Sequence, residues 1–132
     1  MSELRYDDRV IVITGAGRGL GRAYAELLGA RGARVVVNDP GSAVRGEGID
    51  AGPAAEVVAA IQAQGGDAIV STDSVATPEG GRAIIEAALD HYGRIDGLIH
   101  NAGNVRYGSM QALSQEDFDA VLECQRRFAA KN

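Results

Sequence analysis

The 132-residue sequence predicts an α/β fold, a doubly wound parallel sheet of about four strands with helices on both faces. Three observations carry this reading. Short β-branched runs alternate with segments of helical spacing, the first two runs are nearly all apolar, and a glycine knot follows the first of them. A strand that is apolar at every position, not every second one, belongs in a sheet covered on both sides, the usual state of parallel strands. Parallel neighbours need crossovers, which are right-handed, and the expected strand order is 3-2-1-4.

The predicted strands are Val10–Thr14 (VIVIT), Arg34–Asn38 (RVVVN), Ala68–Thr72 (AIVST) and Ile95–His100 (IDGLIH). Between the first two, Leu20, Tyr24, Leu27 and Arg31 recur at helix spacing, the arginine's charge free to reach water. A second helix follows Pro53, with Val57, Val58 and Ile61 as its apolar stripe, and Gly65-Gly66 ends it. Thr77-Pro78 reads as an N-cap with proline in the first turn of a third helix. Its stripe is Ile84, Ile85, Ala88 and Leu89, and Gly93 ends it. Ser114 and Asp117 form an acidic capping box that opens a fourth helix. The one loop-rich insert is Pro40–Gly52, and residues 1–132 are expected to form one domain.

Composition narrows the function. The formal net charge of -5 disfavours a nucleic-acid footprint. No apolar run approaches membrane-spanning length, and the N-terminal residues lack the basic-then-apolar build of a signal peptide. A single cysteine, Cys124, offers no internal disulfide, and with two histidines it makes no metal constellation. The expectation is a cytoplasmic protein acting on small molecules.

The glycine knot is Thr14-Gly15-Ala16-Gly17-Arg18-Gly19-Leu20-Gly21. Placed between a strand and a helix in a βαβ unit, it meets the context that a dinucleotide-binding turn requires. Gly15 permits the tight turn, and Gly17, Gly19 and Gly21 let phosphates approach backbone amides at a helix N-terminus. Asp39, at the end of the second strand, can accept hydrogen bonds from both hydroxyls of an adenosine ribose, which suits NAD and repels the 2′-phosphate of NADP. Arg18 is the countersignal, a cation able to tolerate that phosphate; the carboxylate weighs more, so NADP is the less favoured cofactor.

The Thr14–Gly21 stretch resembles the TGxxxGxG of the short-chain dehydrogenase/reductase family, which has a Rossmann-type fold. Asn101-Ala102-Gly103 resembles that family's NAG motif, and Asp73-Ser74-Val75 its acid-led contact with adenine. VVVND at 35–39, the glycine-bearing insert and DSV together are similar to the (3R)-hydroxyacyl-CoA dehydrogenase subset found in peroxisomal multifunctional enzymes and bacterial relatives. The resemblance runs from about Arg9 to Glu123. It implies an oxidoreductase that moves hydride between NAD(H) and a hydroxyl or carbonyl group. It also implies that Asn101 touches the cofactor ribose with Ala102 and Gly103 beside it, and that Val75 covers the adenine. A plain turn at Asn101 and a packed, noncatalytic His100 are the structural alternatives.

Family chemistry also needs a tyrosine with a lysine four residues on, because a phenol of pKa ~10 requires a nearby cation to act at neutral pH. The residues four after Tyr6, Tyr24, Tyr92 and Tyr107 are Val10, Leu28, Asp96 and Gln111. The only lysine is Lys131, and no catalytic residue is assigned. The stripe of Phe118, Val121 and Leu122 continues onto Gln125 and Arg126, so residues from about 124 to 132 form an atypical tail. The expectations are a truncated chain or a shifted reading frame, with a fraying helix end as the alternative. A fourth strand left at the sheet edge would favour a homo-oligomer through that edge or through helices. Three readings stand together: the cofactor-binding half of an oxidoreductase, an inert NAD-binding module, and a nonfunctional fragment.

Overall fold

The computed structural model describes residues 3–41, 52–103 and 108–129. Four strands, β1 (Val10–Thr14), β2 (Arg34–Asn38), β3 (Asp67–Ser71) and β4 (Gly97–Ile99), form one parallel sheet in the order β3-β2-β1-β4. Helices α1 (Gly19–Ala30), α2 (Gly52–Ala63) and α3 (Pro78–Tyr92) make the connections, and α4 (Gln115–Ala129) follows β4. This is the expected doubly wound topology. The insert at 42–51 lies outside the described residues, as do residues 104–107.

Alternation along the central strands divides the core in two. Ile11, Ile13, Val35 and Val37 face α1 and α2, where Ala25, Val57 and Ile61 meet them. Val10, Val12 and Val36 point the other way, against Ile84 and Ala88 of α3. Every residue of β1 is buried, so apolar side chains fill both faces from Val10 to Ile13 before the polar Thr14 ends the strand. The continuous apolar runs arise from that enclosure.

The helix ends follow local chemistry. The Thr77 hydroxyl accepts the Gly80 N–H at 3.0 Å, Pro78 opens the helix without needing its own N–H, and Gly93 closes it at φ 78°. An N-cap of this kind contributes about 1 kcal/mol. At α4 the Ser114 hydroxyl accepts the Asp117 N–H at 3.1 Å and donates to the Asp117 carboxylate at 3.0 Å. The acidic capping box is therefore formed.

Some expectations are corrected. β3 begins at Asp67, one residue early, because Asp67 pairs in register with Arg34; Thr72 falls outside the ladder. β4 is three residues long rather than six. At its start the Asp96 carboxylate takes the Val10 N–H at 2.8 Å, and at its end Asn101 N–H turns back to the Ile99 carbonyl at 3.1 Å. The helix expected from Leu20, Tyr24, Leu27 and Arg31 exists as α1, but the three apolar residues face outward. Its buried side is Gly21, Ala25 and Gly29, one turn apart. Small residues bring the backbone close: a Cβ on Gly29 would lie 2.8 Å from Ile61 Cγ2. Likewise Leu89 of α3 and Phe118 and Leu122 of α4 are exposed. The backbone of α4 runs to Ala129, while the side chains of Gln125 and Arg126 lie outside those described.

Candidate functional site

Four segments meet at the C-terminal ends of the strands, where open α/β sheets bind ligands. The first is the turn from β1 into α1. Gly15 sits at φ 65°, in the left-handed region that favours glycine, and a Cβ there would lie 2.8 Å from the Ala102 Cα. The turn is fixed from three sides. Ala16 N–H donates to the Asn38 carbonyl at 2.8 Å, Gly17 N–H donates to the Asp39 carboxylate at 3.1 Å, and the Asn101 amide donates to the Gly15 carbonyl at 3.1 Å. Gly19, at φ 57°, faces open space: nothing lies within 4 Å of where its Cβ would stand. Arg18 and Leu20 flank it and are exposed. Gly21 is buried where a side chain would strike the Gly15 carbonyl and the Asn101 amide.

Asp39 follows β2 directly. Its two carboxylate oxygens divide between Gly17 N–H and Gly41 N–H, the latter at 2.8 Å, while its own N–H donates to the Ser71 carbonyl at 2.9 Å. The acid is thus half-buried and aimed at the glycine turn. That contact forces glycine at 17, where a Cβ would stand 2.6 Å from Asp39 Oδ2 and 2.8 Å from Pro53 Cβ.

The third segment is Asp73-Ser74-Val75. The Asp73 side chain is exposed on the rim of a cleft of about 430 Å³ shared with Pro40 and Ser74. Val75 is buried among Val10, Val12, Val36, Ile84, Ala88 and Ala102. The fourth is Asn101-Ala102-Gly103. The Thr14 hydroxyl accepts both the Asn101 N–H at 3.1 Å and the Ala102 N–H at 3.0 Å, which ties this loop to β1. The same hydroxyl lies 3.5 Å from His100 Nδ1. His100 is half-buried past the end of β4. Ala102 is buried and Gly103 exposed.

One site residue was missed. Asn38 is fully buried, and its amide donates to the Asp73 carbonyl at 2.9 Å and the Ser71 hydroxyl at 3.1 Å, so it fastens the β3–α3 loop to β2. The signal was a lone polar residue closing the apolar run RVVVN.

The residues fit an adenine dinucleotide on the structure's own terms. Unobstructed space lies over Gly19 at a helix N-terminus, the chemistry that receives phosphate oxygens, and an acceptor-only carboxylate stands beside it for paired hydroxyls. Among the described residues no group of side chains could hold a metal ion, and no helix is long and apolar enough to cross a membrane.

Comparison with known proteins shows the family. The short chain dehydrogenase family model matches residues 9–126. A Mycobacterium tuberculosis protein named as a short-chain type dehydrogenase/reductase is 52% identical over 88% of this chain and 41% of its own length. Mouse peroxisomal multifunctional enzyme type 2 is 47% identical over 91% of this chain and 16% of its own. Among solved structures, a Burkholderia cenocepacia short chain dehydrogenase in complex with NADP superposes with a TM-score of 0.84. It is 33% identical, with 96% of this chain and 49% of that one covered. A 7α-hydroxysteroid dehydrogenase complexed with NADH and a 7-oxo bile acid superposes at 0.79, with 30% identity over 90% of this chain and 43% of that one. The chain spans less than half the length of each of these proteins. With the family model matched over residues 9–126 of a parallel sheet of this topology, the chain belongs to the short-chain dehydrogenase family.

Proposed function

We propose that the chain, as one cofactor-binding domain, holds NAD(H) for an oxidoreductase that transfers hydride at a hydroxyl or carbonyl carbon of a small molecule. The observation that carries this reading is the Asp39 carboxylate set against Gly17 in the glycine turn. That carboxylate exchanges its backbone partners for the two ribose hydroxyls and repels a 2′-phosphate, which makes NAD the preferred dinucleotide. The amides around Gly17 and Gly19 receive the pyrophosphate. Thr14 and Asn101 keep the fourth loop against the turn, and Asp73 and Ser74 frame the adenine side, with Val75 buried in the core next to them. When bound, the nicotinamide supplies or accepts the hydride. A 3-hydroxyacyl substrate is the favoured choice, supported by the likeness to peroxisomal multifunctional enzyme type 2.

Proton transfer to or from the substrate oxygen needs a tuned acid or base, and this sequence has no tyrosine followed four residues later by lysine. That favours the second reading, binding without turnover by the chain alone. A titration of NADH into the purified chain, with oxidation of a 3-hydroxyacyl thioester followed by absorbance, separates the two. Saturable binding without turnover is the expected result; turnover would overturn the assignment of no catalytic residue, and no binding would overturn the cofactor site.

Self-association through the β4 edge is part of the same proposal, because Leu98 is exposed there and β4 pairs only with β1 in the described sheet. The cytoplasmic location is likewise proposed, against relatives whose names are peroxisomal. Imaging the tagged protein decides between the two.

A further inference from the structure

Beside the glycine turn lies a cleft of about 410 Å³ between the first turns of α1 and α2. Arg18 and Arg22 reach it from one side, and Pro53 and Glu56 from the other. It adjoins Asp39 through Gly17, which lines the cleft, accepts no side chain against Pro53, and donates its N–H to the Asp39 carboxylate. A group attached to the ribose hydroxyls at Asp39 would therefore stand at the mouth of this cleft.

The two arginines there differ in their pairing. Arg18 is exposed and makes no ion pair among the described residues. Arg22 is held twice: its Nε lies 2.9 Å from Glu26 Oε1 on its own helix, and its Nη1 lies 3.7 Å from Glu56 Oε2 on α2. Two guanidinium groups beside a ribose would make a phosphate site, because their planar donor forks match phosphate oxygens. Here one is engaged, closely along its own helix by Glu26 and more loosely from across the cleft by Glu56.

We propose that Glu56 is a specificity-determining residue that works through Arg22, completing with Glu26 the ion pairing of that guanidinium and so withholding a second cation from a dinucleotide 2′-phosphate. The inference rests on the NAD reading of Asp39. It adds that the acid at 39 does not act alone: a second carboxylate, 17 positions later and on another helix, keeps the surrounding cations from reversing the preference. Glu56 is a positioning residue, since it is not required to touch the cofactor.

The test measures NADH and NADPH affinities by fluorescence titration for the wild-type chain, Glu56→Gln, and Glu56→Gln combined with Arg22→Ala. Glu56 is largely exposed, so the substitution leaves the fold intact, and unchanged NADH affinity reports this. Glu56→Gln is expected to tighten NADPH relative to NADH by roughly 2- to 5-fold, the range of an exposed ion pair. Adding Arg22→Ala is expected to erase the gain. An unchanged ratio in Glu56→Gln, or a gain that survives removal of Arg22, would overturn the role of the pair while leaving the NAD site standing. A wild-type chain that binds neither dinucleotide would instead overturn the cofactor reading, and this inference with it.

Discussion

The two strands that flank β1 are treated very differently by the rest of the chain. β2 is enclosed on both faces and both edges, by β1 and β3 beside it and by helices above and below. Among the described residues β4 is paired along one edge only, is three residues long, and leaves Leu98 39% exposed. The glycine turn and Asp39 hang from the enclosed side. The proposed dinucleotide grip therefore centres on β1, α1 and β2 with their cover, whereas the β4 side keeps apolar surface in reach of another strand.

That contrast can be broken most forcefully in the core. Ile13→Ala on β1 should cost about 4 kcal/mol, because Ile13 is fully buried and its neighbours cannot collapse onto the cavity. The matching truncation Leu98→Ala on β4 should cost less than about 1 kcal/mol. Urea unfolding of both variants checks the difference, and equal losses would mean that β4 is as enclosed as β1.

Gly21→Ala comes next. Its methyl group would press on the Gly15 carbonyl and the Asn101 amide, for a loss of about 2 to 3 kcal/mol. NADH affinity should collapse with it, since the turn itself must open. A calorimetric titration of NADH on the folded fraction reads the effect. Thr14→Val keeps the shape but removes the oxygen that accepts the Asn101 and Ala102 N–H groups. Losing that shared acceptor should cost about 1 kcal/mol in thermal unfolding, the Asn101 N–H keeping the Ile99 carbonyl.

The smallest effect concerns pH and again the β4 side. The Arg94 guanidinium, followed by the Val10 N–H, holds the Asp96 carboxyl below its ordinary value of 3.8. A group whose pKa is lowered by folding stabilises the fold fully above its unfolded value, and that stabilisation drains away as the pH falls through the lower, folded one. Melting scans below pH 4 should therefore show wild type losing stability faster than Asp96→Asn, with the two running parallel above pH 5. Parallel curves throughout would remove Asp96 as the pin at the start of β4.

Legibility in the sequence followed the same division. The strands β1 and β2 could be read to the residue because enclosure on both faces forces unbroken apolar runs. The glycine turn and Asp39 were legible because positive φ and close backbone approach leave few residue choices. The buried face of α1 was not. Spacing rules look for large apolar side chains, and this helix docks through Gly21, Ala25 and Gly29, leaving Leu20, Tyr24 and Leu27 outside. The length of β4 was illegible for a related reason: its ends are cut by a side-chain carboxylate and a hydroxyl, Asp96 and Thr14, whose partners are far away in sequence. Asn38 belongs to the same class, a tertiary fastening that appears in the sequence only as a polar letter ending an apolar run.

The central claim is that the enclosed side, not the β4 side, grips a dinucleotide through the turn and the acid facing it. Backbone amide chemical shifts of the labelled chain, followed as NADH is added, test this directly. The account predicts that the largest saturable changes fall on Gly17, Arg18, Gly19 and Asp39, with Leu98 and Ile99 nearly still. Shifts centred on β4, or none anywhere at saturating NADH, would contradict it.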